Sequence, residues 1–528
     1  MRHPRLPLAT IALVLGALPA LGCSDDSGDP TDGKTNSTTT TEPEPAALCQ
    51  PSGGGPHWLL EGETVIFQVG CATDMVLPDD AFEVTSLPEG ATYDATKREV
   101  AFSPGFDQAA VYEVEIHVAE TSETAQVKIG VADAWDHPSN VPVVDPTRYT
   151  EEYGLPVLFL QQRPVTDEYV ANTFIYRGHT YTAEAKLRGA SSLGYPKNSY
   201  TLKFSKQDRF QEPDEADGFT NKRKIVLTTP FDDNSYVRQR LAYDLWNRLD
   251  PGHVQIQTYS AVVYIEGEYW GLYTVGDHVD KDLMEQHGFW DDGNLYKAIN
   301  HDANFDTRAS GGGPKGALHA GYEKKEGFPE EGEPGAFSDL EELVQFVATS
   351  DAATFRSQIG SRIDRRDYEN WWIFVTFIKG SDSAGKNSYH YRDPRSNGVF
   401  RFMPWDFNES FGQTWQSERT GASEVIEYRN MNRLFDRFLE EPSIAGPLKA
   451  RYAEVLHGVY SESAVQALVD GYIARIDTSA RRDEQKWGQA YQTYGGWAWR
   501  NNFTTYEEEV AYLKAWISER WRFQDALY

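Results

Sequence analysis

Two carboxylates and an amide stand at a spacing that could hold a metal ion beside a phosphate group. Asp382 lies five residues before Asn387 in SDSAGKN, and Asp406 follows in FMPWDFN, with Asn408 two residues later. Magnesium prefers oxygen ligands, and a carboxylate with an amide supplies them without enough charge to repel a nucleotide. The spacing indicates phosphoryl transfer, in which Asp382 accepts a hydroxyl proton while Asn387 and Asp406 bind the metal, with Asn408 as a further ligand.

The elements around these residues follow the order that protein kinases use for the same chemistry. The apolar helix DYENWWIFVTFIKG precedes Asp382, and two strand-like runs, SYHYR and VFRFMPW, separate Asn387 from Asp406. The turn between them contains Asn397-Gly398, a hairpin signal. Helix, acidic loop, hairpin and acid is the kinase order for the catalytic base and the metal-binding acid. The alternative is that Asp382 only caps a turn and Asp406 only begins a loop.

Three cations could hold the phosphates of a nucleotide. They lie in LRGASSLGYPKNSYTLKF and are Arg188, Lys197 and Lys203. A kinase places one strand lysine on the α- and β-phosphates, and Lys203 lies on the alternating strand SYTLKF. Arg188 and Lys197 could clamp phosphates through charge-assisted hydrogen bonds. The alternative for each of them is a solvated surface cation.

The chain from about 140 to 528 predicts an α+β fold. Strand-like runs such as LPVLFL and KIVLTT come first, and amphipathic helices dominate later. Ser338 and Glu341 stand at capping-box spacing, which predicts the start of one helix. Residues 309–335 are rich in Gly, Pro and Glu, and they predict a long flexible insertion.

Residues 49–135 have an all-β pattern. The run VYEVEIHVAE alternates apolar and polar residues, as a half-buried strand does. The stretch SLPEGATYDATKREVAFSPGFDQAAVYEVEIHV resembles the Ig-like repeats of bacterial surface proteins. The resemblance implies a small β-sandwich with a spacing or adhesive role.

The first 48 residues predict export. MRHPR is a basic segment, and the short apolar run after it gives way at once to polar residues, as in a signal peptide. The residues ALGC resemble the lipobox of bacterial lipoproteins, which implies removal of residues 1–22 and a lipid on Cys23. Residues 23–48 then predict a disordered tether to the bacterial envelope. The alternative is a secreted protein without lipid.

The cysteine count and the charge narrow the classes of partner. Apart from Cys23, the sequence contains two cysteines, Cys49 and Cys71. They can pair in an oxidising compartment, so we expect a disulfide between them. The formal net charge of −30 argues against nucleic acid as a partner, because phosphate binding needs clustered Lys and Arg.

From about Pro156 onward the chain resembles the CotH (spore coat protein H) kinase family. The resemblance rests on several segments in a fixed order: Lys186–Phe204, Asp232–Leu245, Val262–Asp280, Gly293–Lys297, Ser381–Asp393 and Phe402–Gly412. It implies an atypical protein-kinase-like domain over residues 140–528. It also implies transfer of the ATP γ-phosphoryl group, with Mg²⁺ or Mn²⁺, to Ser or Thr of a surface or secreted protein.

The resemblance also assigns residues and leaves an alternative. The essential acidic pair of the family matches Asp382 and Asp406, and Asp277 matches a position near the nucleotide where the family usually has Glu. The family usually has Asp at the position of Asn408. With these two departures, the alternative is a surface adhesion protein whose kinase-like module is inactive. The aromatic run WGQAYQTYGGWAWRNNF would suit an added carbohydrate contact.

Overall fold

The computed structural model describes residues 49–528 except positions 74, 76, 120, 396–397 and 497–503. The signal peptide, the tether and Cys23 lie outside these residues, as do Asn397 of the hairpin signal and the end of the aromatic run. Those expectations stay predictions. In the described part of the chain, no helix combines the length with the apolar composition that a membrane span requires.

Short strands build the N-terminal region. They are β1 (Pro51–Ser52), β2 (His57–Leu60), β3 (Val65–Gln68), β4 (Gly70–Cys71), β5 (Phe82–Thr85), β6 (Thr92–Asp94), β7 (Glu99–Phe102), β8 (Ala110–Val118) and β9 (Thr124–Ala132). One sheet has the order β2-β9-β8-β5 and another has the order β3-β7-β6, with a shared apolar core. The packed sheets agree with the predicted β-sandwich, and the Ig-like assignment stays a prediction.

A disulfide joins Cys49 to Cys71 beside this core. Cys49 lies two residues before β1, and Cys71 ends β4, which pairs with β1. The covalent link and the strand pairing therefore hold the same two segments together.

The next strands close into a barrel. They are β10 (Glu151–Glu152), β11 (Leu155–Leu160), β12 (Val170–Tyr176), β13 (His179–Arg188), β14 (Ser199–Phe204), β15 (Lys224–Thr228), β16 (Thr258–Ile265) and β17 (Glu268–Asp277). Their order is β10-β11-β12-β13-β14-β15-β17-β16, and β16 returns to pair in parallel with β11. Alternate apolar residues from β11 to β17 form one core inside the ring.

Helices and a smaller sheet make up the remainder. The helices are α1 (Arg238–Leu249), α2 (Lys281–Gln286), α3 (Ser338–Thr349), α4 (Ala352–Gln358), α5 (Arg365–Ile378), α6 (Arg433–Glu440), α7 (Pro442–His457), α8 (Glu462–Thr493) and α9 (Tyr506–Leu527). The strands β18 (Asn294–Ala298), β19 (Tyr322–Glu326), β20 (Ser388–Arg392) and β21 (Phe400–Pro404) form a sheet in the order β19-β18-β20-β21. The predicted mixture of helix and sheet is confirmed, and the kinase-like assignment stays a prediction at this point.

Two local predictions are wrong. Ser338 lies inside α3, and the residue before the helix is Phe337, which makes no side-chain cap, so the capping box does not form there. The stretch 309–335 is not wholly irregular, because β19 lies within it and pairs with β18. Its alternation of buried and exposed residues is short and is surrounded by Gly and Pro, which obscured the strand in the sequence.

Candidate functional site

A pocket of about 390 Å³ is bounded by one rim of the barrel and by the loops around the smaller sheet. The pairing of the strands determines which residues meet at this rim. Arg188 pairs with Ser199, and Tyr200 pairs with Leu227. The end of β13, the start of β14 and the end of β15 therefore lie side by side. The polar lining includes Arg188, Ser199, Thr228, Asp232, Gln239, Lys297, Asp382, Lys386, Asn387, Asp406 and Asn408.

Asp382 lies in a short turn after α5, and three neighbours fix its carboxylate. Asn387 Nδ2 donates a hydrogen bond to Oδ2 at 2.9 Å, Lys386 Nζ lies 2.8 Å from the same oxygen, and His301 Nε2 lies 3.4 Å from Oδ1. Burial by itself raises the pKa of Asp382, but His301 and Lys386 outweigh it, and the pKa is lowered. Asp382 is therefore ionised and oriented at neutral pH, as a proton acceptor requires.

Asp406 and Asn387 share an unusual backbone conformation. Both have positive φ, +62° and +54° respectively, and Asp and Asn adopt this region more readily than other non-glycine residues. At Asp406 the turn comes directly after β21 and lies between buried Trp405 and Phe407. The Asp406 carboxylate is exposed into the pocket and accepts no hydrogen bond from the described residues.

The exposed surface of Asp406 faces the pocket, while protein atoms surround the rest of the residue. This loss of hydration raises the pKa of Asp406, and the positive charges of Arg188 and Lys297 oppose the rise. A bound divalent cation would favour the ionised form. A cation in the pocket would therefore lower the pKa of Asp406.

Two cations in the pocket have no anionic partner among the described residues. Arg188 Nη1 is buried without a hydrogen bond, and its guanidinium carbon lies 4.8 Å from the centre of the Trp405 ring. Lys297, half-buried on β18, forms no ion pair there either, and burial followed by the charge of Arg188 lowers its pKa. Buried donors without partners are suited to an anionic ligand.

The oxygen atoms of the pocket fit a divalent cation. Asn387 donates its Nδ2 to Asp382, so its Oδ1 remains free to face a ligand. Asn408 donates a hydrogen bond from Nδ2 to Asp232 Oδ2 at 2.5 Å, so its Oδ1 is likewise free to face a ligand. Together with Asp406 these amides provide the hard oxygen ligands that Mg²⁺ and Mn²⁺ accept.

The structure places the other three predicted nucleotide ligands outside this pocket. Lys203 lies four residues along β14 from Ser199, about 13 Å at the rise of a strand, and its ammonium is 2.7 Å from Glu184. Asp277, which pairs with Ile225 near the start of β15, also lies at the far rim. Its carboxylate contacts Lys222 at 2.7 Å, and it is buried.

Lys197 is close to the pocket in sequence but is directed away from it. Its side chain has no exposed surface, and Nζ donates to Asp483 Oδ1 at 2.9 Å and to the carbonyl of Leu272 at 2.7 Å. The aromatic run begins with half-buried Trp487, which donates to the carbonyl of Trp270 at 2.7 Å. Residues 497–503 of that run lie outside the described part.

The sequence interpretation missed several pocket residues. Asp232 lies four residues after β15 and Lys297 lies within β18. Both stand in segments that carry the family resemblance, so that resemblance was the available signal. Glu409 follows Asn408 without being among the residues that line the pocket, and no sequence pattern pointed to it. It is 6% exposed, accepts a hydrogen bond from Ser381, and has its pKa raised to about 7, mainly by burial and further by Asp382.

Two comparisons with known proteins bear on this site. The family model described as CotH kinase protein matches residues 185–524. Inner spore coat protein H of Bacillus subtilis (strain 168) is 24% identical over 300 residues, which cover 57% of this chain and 78% of that protein. The family match includes every pocket residue named above and excludes the N-terminal sandwich.

Proposed function

Because this chain belongs to the CotH kinase protein family, we propose that it transfers the γ-phosphoryl group of ATP to a Ser or Thr hydroxyl of a protein. The observation that carries the proposal is the state of the charges in the pocket. Asp382 is held by three partners, whereas the Asp406 carboxylate accepts no hydrogen bond and the cations Arg188 and Lys297 have no anionic partner among the described residues. A bound nucleotide with its metal would satisfy the unpartnered set.

Each residue has a role in the proposed transfer. Asp382 accepts the proton of the Ser or Thr hydroxyl while the oxygen of that hydroxyl forms a bond to the γ-phosphorus. The bond from the γ-phosphorus to the β,γ-bridging oxygen breaks, and its electron pair leaves with ADP. Arg188 and Lys297 bind the phosphate oxygens, where their charge offsets the charge that develops.

Asn387, Asp406 and Asn408 would hold Mg²⁺ or Mn²⁺. The ion supplies charge neutralisation at the phosphates when it is bound. The turn at Asp406, with its carboxylate exposed to the pocket, supports this assignment because nothing in the described protein competes for that carboxylate. Lys197, Lys203 and Asp277 are not included, since each has a protein partner elsewhere.

We also propose that the protein acts outside the cytoplasm, exported and anchored by a lipid on Cys23, or else secreted. The relative in Bacillus subtilis is named for the spore coat, which supports an extracytoplasmic location. The substrate is then a surface or secreted protein. The comparisons do not favour the alternative of an adhesion protein with an inactive module.

Label transfer from γ-³²P-ATP tests the proposal. The purified chain is incubated with Mg²⁺ or Mn²⁺ and a Ser-rich acceptor protein, beside Asp382→Asn and Asp406→Asn. Removal of a general base or a metal ligand is expected to lower transfer by about 10²–10⁴-fold. A matched control is Asp470→Asn, because Asp470 pairs with Lys514 on the surface, and it should transfer label like the wild type.

Two results would contradict the kinase assignment. One is equal transfer by the wild type and Asp406→Asn. The other is no transfer together with no change in melting temperature when MgATP is added, because a ligand that binds the folded protein must stabilise it.

A further inference from the structure

Asp232 is a buried carboxylate that enters the pocket from a segment remote from Asp406. It lies between β15 and α1, is 5% exposed and lines the pocket. Its backbone carbonyl accepts hydrogen bonds from Gln413 Nε2 at 2.7 Å and Ser417 Oγ at 2.9 Å. These two bonds tie Asp232 to the loop that follows Asp406, so the two segments cannot separate without breaking them.

Only one side of the Asp232 carboxylate is used by the protein. Oδ2 accepts from Asn408 Nδ2 at 2.5 Å and from the hydroxyl of Tyr195 at 3.3 Å. Oδ1 accepts no hydrogen bond, and no Lys, Arg or His lies within 4.0 Å of the carboxylate, in the part of the chain that the structure describes. Buried carboxylates are normally paired with a cation or bound to a metal.

The adjacent residue shows what a structural carboxylate looks like at this place. Asp233 Oδ1 is 2.5 Å from Arg238 Nη1 and accepts from Ser235 Oγ at 2.6 Å, while Oδ2 accepts the backbone N–H of Arg238 at 2.8 Å. Asp233 is therefore satisfied on both oxygens. Asp232 is buried to a similar extent, lines the same pocket as Asp406, and has one oxygen without a hydrogen bond in the described part of the chain.

We propose that Asp232 is a further ligand of the divalent cation in this pocket, an inference that rests on the proposed function. Asn408 contributes an uncharged amide, as Asn387 does, so Asp406 is the carboxylate of the proposed ligand set. Asp232 would supply a second carboxylate from a different segment of the pocket lining. The hydrogen bond from Asn408 fixes Oδ2 and leaves Oδ1 to the cation.

The test is a titration of Mn²⁺ without nucleotide, followed by the electron paramagnetic resonance signal of the free ion. The full chain is compared with Asp232→Asn and with the exchange variant Asp232→Asn/Asn408→Asp. Asp232→Asn keeps the size and the hydrogen-bond acceptor, yet it is expected to weaken Mn²⁺ binding by about tenfold or more. The exchange variant returns a carboxylate to the site and should bind Mn²⁺ more tightly than Asp232→Asn alone.

The outcomes separate this inference from the proposed function. Binding that is lost in Asp406→Asn but stays within twofold of the wild type in a folded Asp232→Asn would overturn the role of Asp232 alone. A wild-type chain that binds no Mn²⁺, with or without ADP, would overturn the metal site and the inference together.

A second variant decides the question should Asp232→Asn fail to fold. Asn408→Ala removes a proposed amide ligand together with its hydrogen bond but keeps the Asp232 carboxylate, so a smaller loss of Mn²⁺ affinity than in Asp406→Asn is expected. A loss as large as in Asp406→Asn would mean that the remaining Asp232 carboxylate does not hold the ion, and it would overturn the role of Asp232.

Discussion

The pocket and the interior behind it hold the same kinds of charged residue in opposite states. In the pocket, Arg188 and Lys297 have no anionic partner among the described residues. In the interior, Lys197 is fully buried against Asp483, and Arg238 is fully buried between Asp233 and Glu509. In the interior, each cation is neutralised by a carboxylate of the protein. Only the unpaired cations of the pocket are available to a ligand.

The interior pairs position the walls of the pocket. Asp483 on α8 holds Lys197, which lies in the loop between Arg188 and β14, and it also accepts the N–H of Leu272 on β17 at 2.9 Å. The adjacent residue Arg482 contacts Glu152 at 3.0 Å and so ties the same helix to the start of the barrel. A cation can therefore matter to the site without touching a ligand.

Removal of the Lys197 ammonium should give the largest change in stability. In Lys197→Met the Asp483 carboxylate stays buried without its cation, which typically costs about 3–5 kcal/mol of unfolding free energy. Urea denaturation measures this cost. The double variant Lys197→Met/Asp483→Leu should recover part of it, because no buried charge is left, and a cost under about 1 kcal/mol for the single variant would contradict the comparison.

Asp133 extends the comparison to a buried carboxylate that is neither paired with a cation nor in the pocket. Its Oδ2 accepts from the Tyr264 hydroxyl at 2.9 Å, and its Oδ1 has no partner in the described part. Burial raises the pKa of Asp133 to about 6, against the hydrogen bond from Tyr264, and Glu61 and Glu152 add to the rise. The folded protein therefore binds this proton more tightly than the unfolded chain does.

The sign of the resulting pH dependence follows from that difference. Stability from the protonated form is fully present below about pH 4 and is lost as the pH rises through about 6, by at most about 3 kcal/mol. Asp133→Asn cannot ionise, so its unfolding free energy should lose this fall between pH 4 and 7. Urea denaturation at several pH values checks it, and identical pH profiles for both proteins would refute the assignment.

Local sequence patterns predicted the helices, the strands and the acidic centre well. They did not predict which charged residues pair with one another. A helix and two strands set the order of Asp382, Asn387 and Asp406 in the sequence, and the structure brings the three residues into one pocket. Strand alternation points to Lys203, but alternation defines a face of the strand and not which end of the strand meets the pocket. That end depends on the barrel closing through β11 and β16, about 100 residues apart in sequence, and no local pattern encodes that pairing.

Lys297→Met tests the unpaired cations of the pocket, in contrast to the paired cations of the interior. The ammonium has no ion pair to lose among the described residues, and it lies 5.9 Å from the centre of the Tyr389 ring, so the unfolding free energy should change by no more than about 1 kcal/mol. Transfer from ATP should fall by about 10–100-fold, because a hydrogen bond between charged groups contributes roughly 1.5–3 kcal/mol. Unfolding and label transfer are measured on the same preparation, and a large loss of stability with unchanged transfer would reverse the assignment.

Lys203 is the matched cation on the far rim, and Lys203→Met should change stability and label transfer least. Lys203 pairs with Glu184 at 2.7 Å, but both side chains are partly exposed, at 30% and 46%. Water screens such a pair, so its loss should cost under about 1 kcal/mol, and label transfer should stay within about twofold of the wild type. A loss of transfer as large as in Lys297→Met would mean that nucleotide binding reaches the far rim, and the difference between the pocket and its surroundings would no longer rest on unpaired charge.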